Sequence, residues 1–208
     1  MPKSKDFWDK RAGRYDAKPK KGPNFAARLE RAAAVFEKTD RVLDVGTATG
    51  EITLDLAPHA GEVLGIDHSA RMVEAANGRA RERGVTNVRF EQMEPDDPRL
   101  EPGTFNAITV YSVIHLLKDA PATLARLRDL LIPGGHLITE TPCLGDWNLL
   151  WRILIRLVVL VGMAPPILSL EADGLEKMIA DAGFEIIERK VYNPKSGLEC
   201  VLARKRSA

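Results

Sequence analysis

Val42-Leu43-Asp44-Val45-Gly46-Thr47-Ala48-Thr49-Gly50 is the stretch of sequence that decides the fold. Its apolar beginning predicts a buried parallel strand, because strands covered on both faces are nearly continuous in apolar residues. The glycines let the backbone turn tightly and approach a ligand. The following run, Glu51–Leu56, predicts a helix with unpaired N–H groups at its start. This order of elements predicts a ligand site beyond the carboxyl end of the strand.

Asp44 introduces a negative charge at the end of this strand. A dinucleotide-binding turn has the spacing Gly-x-Gly-x-x-Gly, whereas this chain has Asp44-x-Gly46-x-Ala48-x-Gly50. The carboxylate would repel a phosphate group and attract a ligand with a positively charged amino group. The spacing therefore argues against NAD, and a turn without any ligand is the alternative that this motif alone leaves open.

A second acid stands at the end of the next predicted strand, Glu62–Asp67. Asp67 follows Gly46 by 67 − 46 = 21 positions, and in doubly wound folds an acid at about 20 residues accepts hydrogen bonds from ribose hydroxyls. An ionised carboxylate suits this role because it only accepts hydrogen bonds. Ser69 is placed to cap the next helix, and Met72 lies either near the ligand or in the core.

The motifs of this chain resemble those of the class I S-adenosylmethionine-dependent methyltransferases. Residues 44–50 are similar to the family's motif I, Asp/Glu-x-Gly-x-Gly-x-Gly, with Ala48 in place of the middle glycine. Residues 67–72 are similar to its Asp-x-Ser-x-x-Met, and residues 130–138 to its turn into the fifth strand. Residues 7–16 resemble the N-terminal helix of the quinone- and lipid-type small-molecule methyltransferases, which folds over the cofactor.

The resemblance implies an α/β fold, a Rossmann-like doubly wound sheet that is mostly parallel with an antiparallel C-terminal strand and has helices on both faces. It also implies S-adenosylmethionine as the cofactor. Asp67 would then hold the ribose and Glu94 the adenine amino group, although Pro95 has no N–H to donate there. The expected cofactor-binding residues are Asp44, Gly46, Thr47, Ala48, Gly50, Asp67, His68, Met72, Met93, Glu94 and Tyr111.

Three side chains are candidates for a role in catalysis. His115 follows the fourth predicted strand and is a candidate general base, because its ordinary pKa of about 6.5 is close to neutral pH. Packing between that strand and the next helix is the alternative for His115. Glu140, near the end of the fifth strand, is a second candidate base or else a surface or capping residue. By the resemblance, Tyr15 would close the site near the methyl donor.

Composition limits the function further. A length of 208 residues predicts one globular domain, residues 1–208, and the resemblance implies that it is a methyltransferase domain. The net charge of +1 argues against wholesale nucleic-acid binding, and DNA is not an expected partner. Two widely separated cysteines and the lack of an apolar leader favour a reducing cytoplasm. Four histidines without ligand spacing predict no metal.

Two segments extend the predicted domain. Residues 1–38 form a basic arm and a cap helix, with eight basic residues and three acids among residues 1–21. Residues 144–170 form an apolar helical insertion over the cleft, whose centre, residues 149–163, is shorter than the about 20 residues that span a membrane. Arg152 and Arg156 share one face of it. Four alternatives are open for the segment: a core helix, a dimer surface, an interfacial helix at a membrane, and a lid over the substrate.

The sequence thus predicts transfer of a methyl group from S-adenosylmethionine to a small, apolar or amphipathic acceptor that resembles a lipid. A homodimer and a peripheral contact with the membrane surface are open alternatives for the apolar segment. An RNA methyltransferase that uses the basic arm is a second interpretation. A non-catalytic S-adenosylmethionine-binding module of the same fold is a third.

Overall fold

The computed structural model describes residues 2–15, 23–191 and 197–206. The strands are β1 (Arg41–Val45), β2 (Glu62–Asp67), β3 (Val88–Gln92), β4 (Phe105–Tyr111), β5 (Leu131–Pro142), β6 (Phe184–Val191) and β7 (Leu198–Lys205). The helices are α1 (Pro2–Arg11), α2 (Pro23–Val35), α3 (Glu51–Leu56), α4 (Ala70–Glu82), α5 (Ala120–Leu130), α6 (Leu149–Leu160) and α7 (Ala172–Asp181). Short 3₁₀ turns lie at Ala12–Arg14, Ala57–His59, Ile114–Leu116 and Leu144–Asp146.

The described strands form one sheet of seven in the order β3-β2-β1-β4-β5-β7-β6. β1 pairs in parallel with β2 and β4, β2 with β3, and β4 with β5. Among these strands β7 alone runs against its neighbours, β5 and β6. The predicted Rossmann-like sheet, mostly parallel with an antiparallel C-terminal strand, is therefore confirmed. The strand order reverses between β1 and β4, which is where open α/β sheets bind ligands.

Successive side chains of β1 enter cores on opposite faces of the sheet. Leu43 belongs to the larger core, together with Leu124 of α5 and Ile179 of α7. Val42 belongs to a second core that includes Leu56 of α3. Because neighbouring residues of a strand point to opposite faces, a sheet covered on both sides requires a nearly continuous apolar run. The sequence shows such a run in β1 from Val42 to Val45, interrupted only by Asp44.

Polar side chains determine where two helices begin beside the ends of β2 and β4. Ser69 Oγ accepts a hydrogen bond from the N–H of Met72 at 3.2 Å, so Ser69 caps α4 as predicted. Asp119 caps α5 by accepting from the N–H of Ala122 at 3.0 Å. These caps satisfy N–H groups that a helix start leaves unpaired and position α4 and α5 relative to the carboxyl edge of the sheet.

The apolar helix α6 lies outside the cores. None of its residues is buried, and Leu150 and Leu160 are 79% and 81% exposed. The alternative that this segment is a core helix is therefore wrong. Of the helices in the described ranges, none combines the length and the apolar character that crossing a bilayer requires.

Glu140 on β5 forms a buried ion pair with Arg28 of α2. Arg28 Nε donates to one carboxylate oxygen at 2.8 Å, and Arg28 Nη2 donates to the other. The side chain of Glu140 is fully buried, and that of Arg28 is 15% exposed. The surface or capping role considered for Glu140 is therefore wrong, because its carboxylate lies inside the fold and holds α2 against the sheet.

We expect Arg28→Met to lower the free energy of unfolding by about 3–5 kcal/mol, because the carboxylate of Glu140 would stay buried without its partner. The double variant Arg28→Met with Glu140→Leu should be more stable than the single variant, since no buried charge then remains. Urea unfolding measures both. Arg41→Met, which breaks the exposed pair with Glu62, is the matched control and should cost about 1 kcal/mol or less. Equal losses for the two single variants would contradict the expectation.

Candidate active site

Three adjoining cavities form one cleft at the carboxyl ends of β1, β2 and β4. The β2 cavity, of about 140 Å³, is lined by Asp67 and Glu94 among others. The central cavity, of about 120 Å³, is lined by Asp67 and Met72. The β1 cavity, of about 60 Å³, is lined by Asp44. Gly46 lines all three, so the cleft is continuous at this glycine.

The turn between β1 and α3 has a left-handed backbone at alternate residues. The φ angles of Gly46, Ala48 and Gly50 are 72°, 49° and 77°. A Cβ added at Gly46 would lie 2.3 Å from Val113 Cγ2, so this position needs glycine for space as well as for conformation. Ala48 adopts the left-handed form with a Cβ, which strains the backbone. A glycine there, as in the family motif, avoids that strain.

Asp67 is held at the cleft by two backbone N–H groups. Ala48 N–H donates to one carboxylate oxygen at 3.0 Å, and Ser69 N–H donates to the other at 2.8 Å. Burial raises the pKa of Asp67, and the hydrogen bond from Ser69 opposes that rise. Each oxygen keeps a second lone pair. The carboxylate therefore fits a ligand with two neighbouring hydroxyls, such as a ribose.

Asp44 lies beneath the glycine turn and is held by two threonines. Thr53 Oγ1 donates to one carboxylate oxygen at 2.5 Å, and Thr109 Oγ1 donates to the other at 2.6 Å. The residue is buried, and burial raises its pKa. Its carboxylate braces the end of β1 while the residue still lines the β1 cavity. Its attraction for a charged amino group stays a prediction.

The N-terminal segment, residues 2–15, closes one side of the central cavity. Ser69 Oγ of the α4 cap donates to Asp9 of α1. Trp8 of α1 and Tyr15 line the central cavity, and their rings meet edge to face at 5.9 Å. The sequence prediction for Tyr15 is thus consistent with its place in the structure, and its proximity to a methyl donor stays a prediction. Residues 16–22 of the predicted basic arm lie outside the described ranges.

The cleft brings together ten of the eleven predicted cofactor-binding residues. These lining residues are Asp44, Gly46, Thr47, Ala48, Asp67, His68, Met72, Met93, Glu94 and Tyr111. Gly50 differs, because it caps α3 and its added Cβ would lie 2.8 Å from Phe90 Cζ. Gly50 therefore allows close packing between the turn and β3 instead of lining the cleft.

Sequence reasoning missed the apolar wall of the cleft. Val113, Leu116 and Leu117 line both the β2 cavity and the central cavity. Ser112, which also lines the central cavity, is a second non-glycine residue with a left-handed φ, 58°. The position of these residues directly after β4 is the signal that could have found them. Their apolar character alone does not separate a cleft wall from a core.

Two predicted catalytic residues do not line the three cavities. His115 is buried, and burial lowers its pKa to about 4. Its Nδ1 has no hydrogen-bond partner in the part of the chain that the structure describes. Glu140 is engaged by Arg28 through both carboxylate oxygens. The geometry therefore favours packing for His115 and a structural ion pair for Glu140.

The position of the apolar insertion over the cleft stays a prediction. None of the described residues 149–163 lines the three cavities. One hydrogen bond connects its end to the N-terminal segment, from Arg11 Nη2 to the carbonyl of Met163 at 3.2 Å. The helix α6 buries no side chain against the sheet.

We expect Ala48→Gly to raise the free energy of unfolding by up to about 1 kcal/mol, because relief of left-handed strain outweighs the added entropy of the unfolded chain. Urea unfolding measures the change. Ala75→Gly, inside α4, is the matched control and should lower stability by about 1 kcal/mol. A loss in Ala48→Gly as large as in the control would show that the turn is not strained at Ala48.

Comparisons with known proteins agree with this geometry. Residues 36–174 match the family model described as a methyltransferase domain. The uncharacterized methyltransferase YcgJ of Bacillus subtilis (strain 168) is 31% identical over 113 residues, 51% of this chain and 45% of that protein. The aklanonic acid methyltransferase DauC of Streptomyces sp. (strain C5) is 36% identical over 107 residues, which are 50% of this chain and 48% of that protein. A ubiquinone biosynthesis O-methyltransferase of Yersinia pestis (strain Pestoides F) is 26% identical over 113 residues, which are 54% of this chain and 46% of that protein.

The chain spans about half the length of the curated relatives it matches. The crystal structure of YcgJ is similar with a TM-score of 0.72 at 18% identity, and the likeness covers 89% of this chain and 99% of that chain. The predicted resemblance is therefore confirmed. Because the family model matches more than half of its residues, this chain belongs to the methyltransferase domain family, and S-adenosylmethionine is its cofactor.

Proposed function

We propose that this chain transfers a methyl group from S-adenosylmethionine to a small, apolar or amphipathic acceptor. The arrangement around Asp67 carries this proposal, since its carboxylate offers acceptor oxygens to a ribose in a cleft with an apolar wall. When bound, S-adenosylmethionine supplies a methyl group that its sulfonium already activates. The role of the protein is then to bind the cofactor, to align the acceptor and to exclude water.

The residues that would hold the cofactor divide between the cavities. Asp67 would accept hydrogen bonds from the ribose, between the β2 cavity and the central cavity. Glu94, in the β2 cavity, would accept from the adenine amino group. Asp44, in the β1 cavity, would attract the charged amino group through its charge, since threonine hydroxyls already occupy part of both oxygens.

Apolar side chains support an acceptor with a hydrocarbon body. Trp8, Val113, Leu116 and Leu117 line the central cavity, and burial of hydrocarbon against them is favourable. The N-terminal segment excludes water from this side. Alignment of the acceptor atom can contribute roughly 7–11 kcal/mol to lowering the barrier. Relatives named for aklanonic acid and for ubiquinone biosynthesis also support a small-molecule acceptor.

Two alternative functions predict a different fate for the methyl group. An RNA methyltransferase would use the basic residues 1–21 to bind phosphates. A non-catalytic module would bind the cofactor and transfer nothing. The acceptor fraction in which a labelled methyl group appears therefore separates these functions.

We expect the purified chain to transfer label from methyl-tritiated S-adenosylmethionine into a mixture of phenols, hydroxyquinones and fatty acids. The label should partition into organic solvent, because the acceptor keeps its hydrocarbon body. An RNA sample incubated in parallel should stay unlabelled. Asp67→Ala is the negative control, and it should transfer little label when the cofactor is below saturation. Label in the RNA alone would contradict the proposal and favour an RNA methyltransferase. The absence of label from every acceptor, although the cofactor binds, would contradict it and favour a non-catalytic module.

We propose that His115 is a packing residue, and we expect His115→Gln to keep its turnover while the pH dependence of its stability changes. Burial holds the pKa near 4, below the ordinary value of about 6.5. The stabilisation from neutral His115 is thus complete above the ordinary pKa and is lost as the pH falls from about 6.5 to about 4, by about 3 kcal/mol. Urea unfolding at pH 7 and pH 4 should show a smaller loss in the variant than in the wild type.

His59→Gln, at the end of a 3₁₀ turn, is the matched control for this measurement. If His115→Gln instead loses turnover by about 10²–10⁴ while its stability profile is unchanged, His115 acts as a general base.

We also propose that the outer face of α6 contacts a membrane surface that contains the acceptor. Leu150, Leu157 and Leu160 are exposed on this helix, and such a surface is normally covered. The basic N-terminal segment touches the end of α6 through Arg11. Basic residues near an anionic leaflet add about 1 kcal/mol each.

We expect the chain to sediment with phosphatidylglycerol vesicles at low salt and to be released at high salt, because the attraction is partly electrostatic. Leu150→Gln with Leu160→Gln should weaken the binding, since it removes apolar contact. Ile187→Gln, on the exposed strand β6, is the matched control and should bind as the wild type does. A dimer in solution that dissociates in the leucine variant would instead assign this face to a homodimer.

A further inference from the structure

A second concave site lies between α6 and residues 167–169. This site, the α6 groove, has a volume of about 330 Å³. Its apolar lining residues are Leu144, Ile155, Val159, Ile167 and Leu168. It shares no lining residue with the three cavities of the cleft. The α6 groove is therefore a separate site with its own chemistry.

Two arginines bring positive charge into this apolar groove. Arg152 and Arg156 both line it, and they project from one face of α6 because they are four residues apart. Like charges at this spacing destabilise a helix. Within the described ranges, no ion pair or side-chain hydrogen bond joins either guanidinium to another residue. An anion in the groove would relieve the repulsion and accept hydrogen bonds from the guanidinium groups.

The α6 groove adjoins the wall of the cleft. The N–H of Leu168, a lining residue of the groove, donates to the carbonyl of His115 at 2.7 Å. The next residue, Leu116, lines the cleft. Three residues beyond the end of α6, the carbonyl of Met163 accepts a hydrogen bond from Arg11 of the segment that closes the central cavity. The groove is thus connected to both the apolar wall and the N-terminal segment.

We propose that the α6 groove binds the acidic end of the methyl acceptor, so that the substrate is an amphipathic acid with a hydrocarbon body and a carboxylate or phosphate group. The identification of this ligand as the acceptor rests on the proposed function, whereas binding of the acid does not. Guanidinium groups bind both anions through paired N–H donors. The apolar lining removes the hydrocarbon from water.

Calorimetric titration with decanoate, decyl phosphate, decanol and decyltrimethylammonium, each below its critical micelle concentration, tests this site without methyl transfer. At least one anion should bind about tenfold or more tightly than the alcohol and the cation. The preferred anion identifies the acidic group. Arg152→Gln and Arg156→Gln should each weaken its binding by about tenfold. Arg81→Gln, on the exposed side of α4, is the matched control and should leave the affinity unchanged.

Equal binding of all four amphiphiles, or unchanged affinity in both groove variants, would overturn the proposal. Binding to phosphatidylglycerol vesicles without binding of either free anion would also overturn it, because the ligand would then be a bilayer. S-adenosylhomocysteine should bind the groove variants as it binds the wild type, which confirms that they are folded. If decanoate or decyl phosphate binds and S-adenosylhomocysteine does not, the proposed function fails while the α6 groove remains an anion site.

Discussion

The carboxylate of Asp67 joins the parts of the molecule that form the cleft. Its two oxygens accept hydrogen bonds from Ala48 N–H in the turn after β1 and from Ser69 N–H at the start of α4. Ser69 then connects to Asp9 of the N-terminal segment through its hydroxyl. One acid at the end of β2 thereby positions the glycine turn, the start of α4 and the segment that closes the central cavity. Groups fixed in this way need little rearrangement when a ligand binds.

Strained backbone on both sides of the cleft is supported by buried polar contacts. Ala48 and Ser112 both have left-handed φ angles. Ala48 is held by Asp67, and Ser112 N–H donates to the carbonyl of Glu140 at 2.6 Å. Glu140 is itself tied to Arg28. Such strain persists only where the surroundings determine the conformation, and it concentrates at functional sites.

Local sequence signals predict most of the sheet and the cleft, because strand ends, turns and caps depend on neighbouring residues. The limits of α3 and β2 are predicted to the residue. The ion pair between Arg28 and Glu140 is not predictable in this way, because 112 positions separate its members. The burial of His115 and the packing of Gly50 against Phe90 likewise depend on elements distant in sequence. The sequence of an apolar run does not indicate whether core, a partner or lipid covers it. The exposure of α6 was therefore not predictable from the sequence.

Calorimetric titration of S-adenosylhomocysteine into the wild type and Asp67→Ala tests most directly whether Asp67 organises the cofactor site. We predict binding to the wild type, weaker binding of NAD, and a loss of at least about tenfold in Asp67→Ala, because two ribose hydrogen bonds disappear. Asp129→Ala, which removes an exposed carboxylate, should bind as the wild type does. An unchanged affinity in folded Asp67→Ala would mean that the ribose lies elsewhere and would contradict the central role of this residue.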